Sequence, residues 1–155
     1  MLLRAITAFV AMPGIVGFGL PIWIGISTHR PLRYVPLAAT VLALGTLLLL
    51  ACVREFYVAG LGTLAPWSPP RYLVTSGPYR WSRNPMYIGV VTILVGWWLL
   101  WTSRTLLSYA LVVACVFYVR VLMVEEPWAA RRFGAEWEAY RLKVRRWIGT
   151  RSDSA

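Results

Sequence analysis

The sequence predicts an all-α integral membrane protein with four transmembrane helices, the last two folded into a helical hairpin, and then a C-terminal amphipathic helix. Three observations carry that expectation. Of 155 residues, 59% are hydrophobic and only 14% charged, where a soluble domain carries about 25% charged residues. The apolar residues fall into four runs, about 5–26, 34–53, 85–102 and 105–124, each close to the ~20 residues that cross a bilayer. The polar motifs lie between and after these runs. A chain this short has too little polar surface to cover four such helices in water.

The first run contains Pro13, Gly14, Gly17, Gly19 and Pro21. Such residues are tolerated in a membrane helix when neighbours satisfy the released backbone groups. Its apolar stretch exceeds the ~7–15 residues of a signal-peptide core, so a retained, kinked span is expected.

The net charge of +10 is unevenly placed. With four spans, both termini and the 54–84 segment share one side. That side holds Arg4, Arg54, Arg71, Arg80, Arg83, Arg120 and the seven basic residues after Val124; the other holds Arg30, Arg33 and Arg104. The positive-inside rule then puts both termini in the cytoplasm. The basic residues are expected to face anionic headgroups, and nucleic-acid binding is not expected. Cys52 and Cys115 lie inside apolar runs, and His29, the only histidine, lies in the first loop. No metal site is expected from that set, and histidine base catalysis is disfavoured. No obligate protein partner is evident.

The chain reads as one domain over 1–150 with a polar tail, 151–155. The longest non-spanning stretch, 54–84, is basic and turn-rich, and Asn84-Pro85 starts the third span, where proline's missing N–H costs nothing. About 18 residues separate Asn84 from Thr102 and about 20 separate Thr105 from Glu125. At ~1.5 Å per residue the two arms are roughly 27 and 30 Å long. A short turn between them would bring Arg83, Asn84 and Tyr87 beside Glu125 and Glu126. After Pro127, over 127–147, Phe133, Trp137, Tyr140 and Val144 recur at helical spacing among basic residues. That pattern fits a helix lying on the membrane surface or a lid packed over the polar segment.

Charged groups at a membrane edge are costly and point to function. Arg120 lies five residues before Glu125. It can snorkel to the headgroups or face an anionic substrate. Of Glu125 and Glu126, about 100° apart on a helix, one need face the hairpin.

Leu73-Val-Thr-Ser-Gly-Pro-Tyr79, Arg83-Asn-Pro-Met-Tyr-Ile-Gly89, Glu125-Glu126, then Phe133-Gly134 with Tyr140 form an ordered set. It resembles the isoprenylcysteine carboxyl methyltransferases, a group that extends to membrane phospholipid N-methyltransferases. The resemblance implies an integral-membrane enzyme that uses S-adenosylmethionine and releases S-adenosylhomocysteine. Carried over by position, the cofactor contacts would be Arg71, Tyr72, Leu73, Val74, Tyr79, Asn84, Pro85, Met86, Tyr87 and Glu125. Arg83, Arg120 and Glu126 are the candidate catalytic residues. This chain has Asn84 where the family commonly has histidine, and the family's substrate arginine, counted back from the glutamate pair, would fall on Val121.

The expected reaction is methyl transfer to a lipophilic, membrane-embedded acceptor, with a carboxylate as the expected acceptor group. A carboxylate acceptor is already ionised near neutrality and needs no base. An amine acceptor, as in a phospholipid, must lose a proton, with Glu126 the candidate base; a thiol is a third option. A membrane protein that keeps the fold without the chemistry is the non-enzymatic alternative. It would bind no cofactor and tolerate Tyr87→Ala and Glu125→Ala.

Overall fold

The computed structural model describes residues 10–60 and 71–150. The start of the first apolar run, the 61–70 turn segment and the tail lie outside the described residues. Among those described the fold is all-helical, and its one β-type pairing is an isolated bridge between Val144 and Thr150.

A π-helical stretch, Val10–Gly19, leads into α1, Leu20–Ser27. The chain then forms α2, Val35–Val58; a 3-10 turn, Gly77–Arg80; α3, Pro85–Trp101; and α4, Arg104–Arg120. A π-helical turn, Val121–Glu125, joins α4 to α5, Glu126–Phe133. The last helix is α6, Ala135–Lys143.

The irregular first helix follows from its prolines. Pro21 has no N–H to offer the Gly17 carbonyl four residues back. Trp97 of α3 donates its indole Nε1–H to that carbonyl at 2.9 Å, and the Tyr109 hydroxyl of α4 donates to the Val16 carbonyl at 3.0 Å. Neighbouring helices thus satisfy groups that the prolines release.

Two helices, Val35–Val58 and the continuous Arg104–Phe133, are long and apolar enough to cross a membrane. Only 22% and 11% of their apolar windows are buried, which rules out core helices of a soluble protein. Leu37, Leu44 and Leu47 on α2 and Leu111, Val112, Val116 and Val119 on α4 all point outward. Apolar surface on that scale requires a lipid or protein partner.

Small residues set the contact of α2 with α3. A Cβ on Gly45 would meet Ile93 Cγ1 at 2.8 Å and the Gly89 carbonyl oxygen at 2.9 Å. The backbones therefore lie close together, as small residues permit between membrane helices. Around that contact Leu49, Val90, Ile93, Leu94, Ala110 and Val113 form the main core. Gly45→Ala is expected to cost about 1–3 kcal/mol through overpacking, read as a lower melting temperature of the detergent-solubilised protein. A melting temperature equal to the parent's would mean that the two helices are free to separate.

Two boundaries differ from the sequence reading. The second apolar run was expected to end at Val53, but α2 continues to Val58, because Phe56 and Tyr57 extend the apolar pattern past Arg54 and Glu55. The C-terminal helix expected over 127–147 is divided. Pro127 lies in the first turn of α5, and Gly134, at φ 51°, separates α5 from α6. Among the described residues beyond Lys143, 144–150, the chain is non-helical.

Candidate functional site

The site lies where the segment before α3, the start of α3, the end of α4 and the two C-terminal helices converge. Ser76-Gly77-Pro78 makes the turn that starts it. Gly77 has φ 56°, and a Cβ there would meet Glu55 Cγ at 2.8 Å, so glycine is required on both counts. Ser76 donates its hydroxyl proton to Glu55, tying the turn to the end of α2. Tyr79 is buried against Cys52, Val74 and Phe56, its ring edge-on to Phe56 at 5.5 Å.

Tyr87, in the first turn of α3, stacks on Phe117 of α4 at 4.3 Å and donates its hydroxyl proton to Glu125. Arg120 Nε donates to the same carboxylate oxygen, Glu125 Oε1, at 2.9 Å. Glu126 joins a second network. Arg83 Nη1 stands 3.1 Å from its Oε1, while Arg146 donates from Nε and Nη2 to its two oxygens at 2.8 and 2.9 Å. Trp137 lies under the Arg83 guanidinium, 5.5 Å from its ring centre, at cation–π distance. The adjacent glutamates therefore serve separate networks.

The chain after α6 closes one side. Arg83 N–H donates to the Arg145 carbonyl at 3.0 Å, Gly149 N–H to the Trp81 carbonyl at 2.8 Å, and Asn84 Nδ2 to the Arg146 carbonyl at 3.1 Å. Trp137, Tyr140, Val144 and Ala129 form a second core against Leu73. The aromatic face at helical spacing is thus turned onto the polar segment, as the lid reading expected. Tyr140 donates its hydroxyl proton to the Tyr79 carbonyl at 2.7 Å, and burial pushes its phenol well above the ordinary range against the opposing charge of Arg83. Tyr140→Phe removes that donor and is expected to cost about 1–2 kcal/mol. Its melting temperature should fall by a few degrees; no fall would show that the contact contributes nothing to closure.

Glu126 lies beyond the apolar part of the long helix. Burial pushes its carboxyl upward, but the Arg146 hydrogen bonds and the charges of Arg83 and Arg146 outweigh this and hold it below the usual carboxylate range. A base working near neutrality needs the opposite environment.

These walls enclose a cavity of about 500 Å³, within the ~300–1,000 Å³ of small-molecule sites. Of the residues expected from sequence, Tyr72, Leu73, Val74, Tyr79, Asn84, Met86, Tyr87 and Glu125 line it, with Arg83, Arg120 and Glu126. Arg71 is exposed and does not; its N–H donates to the Gly60 carbonyl. Pro85 is buried at the helix start outside the lining. Arg120 faces the cavity while Val121 is fully buried. The lining also includes Phe56, Phe117, Trp128, Ala129 and Trp137, and with the Arg146 contact these were not singled out from sequence as site residues. Only the spacing of Trp137 and Tyr140 carried a signal.

A helical protein with outward apolar faces and a cavity lined by aromatic, apolar and a few charged side chains at the end of its helices belongs to the membrane-embedded class. The family model of the phospholipid methyltransferases matches residues 32–136, more than half of the chain. No curated protein and no solved structure matches it. The chain belongs to the phospholipid methyltransferase family and is an integral membrane methyltransferase.

Proposed function

We propose that this protein transfers the methyl group of S-adenosylmethionine to a lipophilic acceptor held in the bilayer, and that the acceptor atom is a carboxylate oxygen. In this reading the first apolar run, ending in α1, is one span and α2, α3 and α4 are the other three, α3 and α4 form the membrane hairpin, and the site faces the cytoplasm. The observation that carries the proposal is the cavity itself, which combines Glu125 with an aromatic and apolar lining.

That lining suits the donor. Glu125 can pair with its α-ammonium, Arg83 and the start of α3 can receive its α-carboxylate, and the rings of Phe56, Tyr72 and Tyr79 offer a slot for adenine and for cationic sulfur. S-adenosylmethionine supplies a methyl group activated by positive sulfur and leaves as S-adenosylhomocysteine. The protein's own task is positioning and exclusion of water. A carboxylate oxygen forms the new C–O bond with its own electron pair, the C–S pair stays on sulfur, and no proton moves. That balance suits a site whose Glu126 is held as an anion by two arginines. Arg120, which lines the cavity, stands beside the path that an anionic head group would take.

A second reading, transfer to a phospholipid amine, is favoured by the family match. The two are separated by incubating the protein in lipid extract with donor labelled in its methyl group. A methyl ester releases the label as methanol in mild alkali, whereas an N-methyl group keeps it. Alkali-labile label in the lipid phase is expected. Alkali-stable label in phospholipid would establish the second reading, and no labelled lipid would contradict both.

A further inference from the structure

The helix that carries both glutamates holds one residue too many for a regular α-helix, and the surplus lies between Arg120 and Glu125. Residues five apart in an α-helix are separated by roughly 140° around the axis and do not face each other. Arg120 and Glu125 are five apart, yet Arg120 Nε lies 2.9 Å from Glu125 Oε1 and both line the cavity. The π-turn Val121–Glu125 makes this possible. Its closing hydrogen bond runs from Glu126 N–H to the Val121 carbonyl, five residues apart instead of four, which brings position i+5 back over i.

Pro127 supplies a local cause. It has no N–H for the carbonyl of Met123, and its ring crowds that carbonyl; a wider turn relieves both. The widened turn also lets the flanking segments keep their own registers. Upstream, Phe117 stays stacked on Tyr87. Downstream, Glu126 stays with Arg83 and Arg146 while Ala129 stays in the second core. Met123, within the turn, is 73% exposed and Val121 fully buried, so the surplus residue is accommodated on the outer, lipid side.

We infer that this π-turn is a register device that makes Arg120 a positioning residue for Glu125, fixing the carboxylate at the cavity wall where the donor's ammonium would be taken. The inference rests on the donor-binding reading proposed above.

The test uses the full chain in detergent, with S-adenosylhomocysteine binding by calorimetry and melting temperature as separate readouts. Arg120→Gln is expected to weaken binding at least fivefold with little change in melting, since Arg120 lies partly exposed, and Arg120→Lys to recover part of the loss. Deleting Met123 leaves the pair four apart, which a regular α-helix also aligns. That variant is expected to fold and to bind within about threefold of the parent. One alanine inserted after Met123 is expected to weaken binding at least tenfold. Parent-like binding by Arg120→Gln or by the insertion variant would overturn the inference, as would a deletion variant that fails to fold. If the parent itself bound no S-adenosylhomocysteine, the donor reading would fall. The register claim would then stand or fall on melting alone, with deletion tolerated and insertion not.

Discussion

Glu126→Ala is expected to lower the melting temperature of the detergent-solubilised protein by about 10 °C. Removing one partner of a buried ion pair costs about 3 kcal/mol because the other charge is left uncompensated, and for a chain of this size each kcal/mol moves melting by roughly 2–4 °C. The Arg83 side chain is only 8% exposed and that of Glu126 only 18%, so water cannot replace the lost carboxylate. Arg146→Ala should cost less, since Arg146 is more exposed and Glu126 keeps Arg83. The same pair sets an acid limit. The folded-state pKa of Glu126 lies below its ordinary value, so its contribution is complete above the usual carboxylate range near about pH 4.3. It is lost as pH falls through the lowered value. Melting curves from pH 3 to 7 should therefore show an acid-dependent loss in the parent that Glu126→Ala largely lacks. A variant that melts with the parent throughout would show that the network joining the segment before α3 to the C-terminal chain does not hold the site closed.

Glu125→Ala is expected to leave melting within a few degrees of the parent and to weaken S-adenosylhomocysteine binding roughly 30-fold, or about 2 kcal/mol, the scale of a hydrogen bond to a charged group. Its side chain is 35% exposed, so its loss leaves no deeply buried charge behind. Tyr87→Phe separates the ring from the hydroxyl. It retains the stack on Phe117 and removes only the bond to Glu125, and a loss of about fivefold, near 1 kcal/mol, is expected. Tyr87→Ala would also open the stack, and so reports on packing as well as on binding. Equal affinity in the parent and Glu125→Ala would remove Glu125 from the donor site and leave its pairing with Arg120 a local surface contact.

Much of the site was legible because it depends on chain geometry. Pro85 marks the start of α3, and the similar distances from Asn84 and from Glu125 to the connecting turn anticipate the meeting of Tyr87 with Glu125. The Arg83 to Tyr87 segment and the glutamate pair therefore announced one another. The boundary at Val53 was missed because Arg54 and Glu55 look like a helix end; they pair with each other at 2.9 Å and the helix continues through them. The split at Gly134 was missed because a single glycine in an amphipathic pattern does not reveal whether it takes a positive φ. Arg146 was hidden for a different reason. It contacts Glu126 from 20 residues away through a non-helical strap, and no periodicity connects the two. The π-turn was equally hidden, since a five-residue spacing reads as two residues on different faces until the turn is seen.

The most direct measurement is a calorimetric titration of S-adenosylmethionine and S-adenosylhomocysteine into the unaltered, detergent-purified protein. Saturable binding of one molecule per chain in the micromolar range is expected for both. Absence of binding by a protein that melts cooperatively would contradict the proposed methyl transfer and leave a family member that keeps the helices and the cavity without the chemistry.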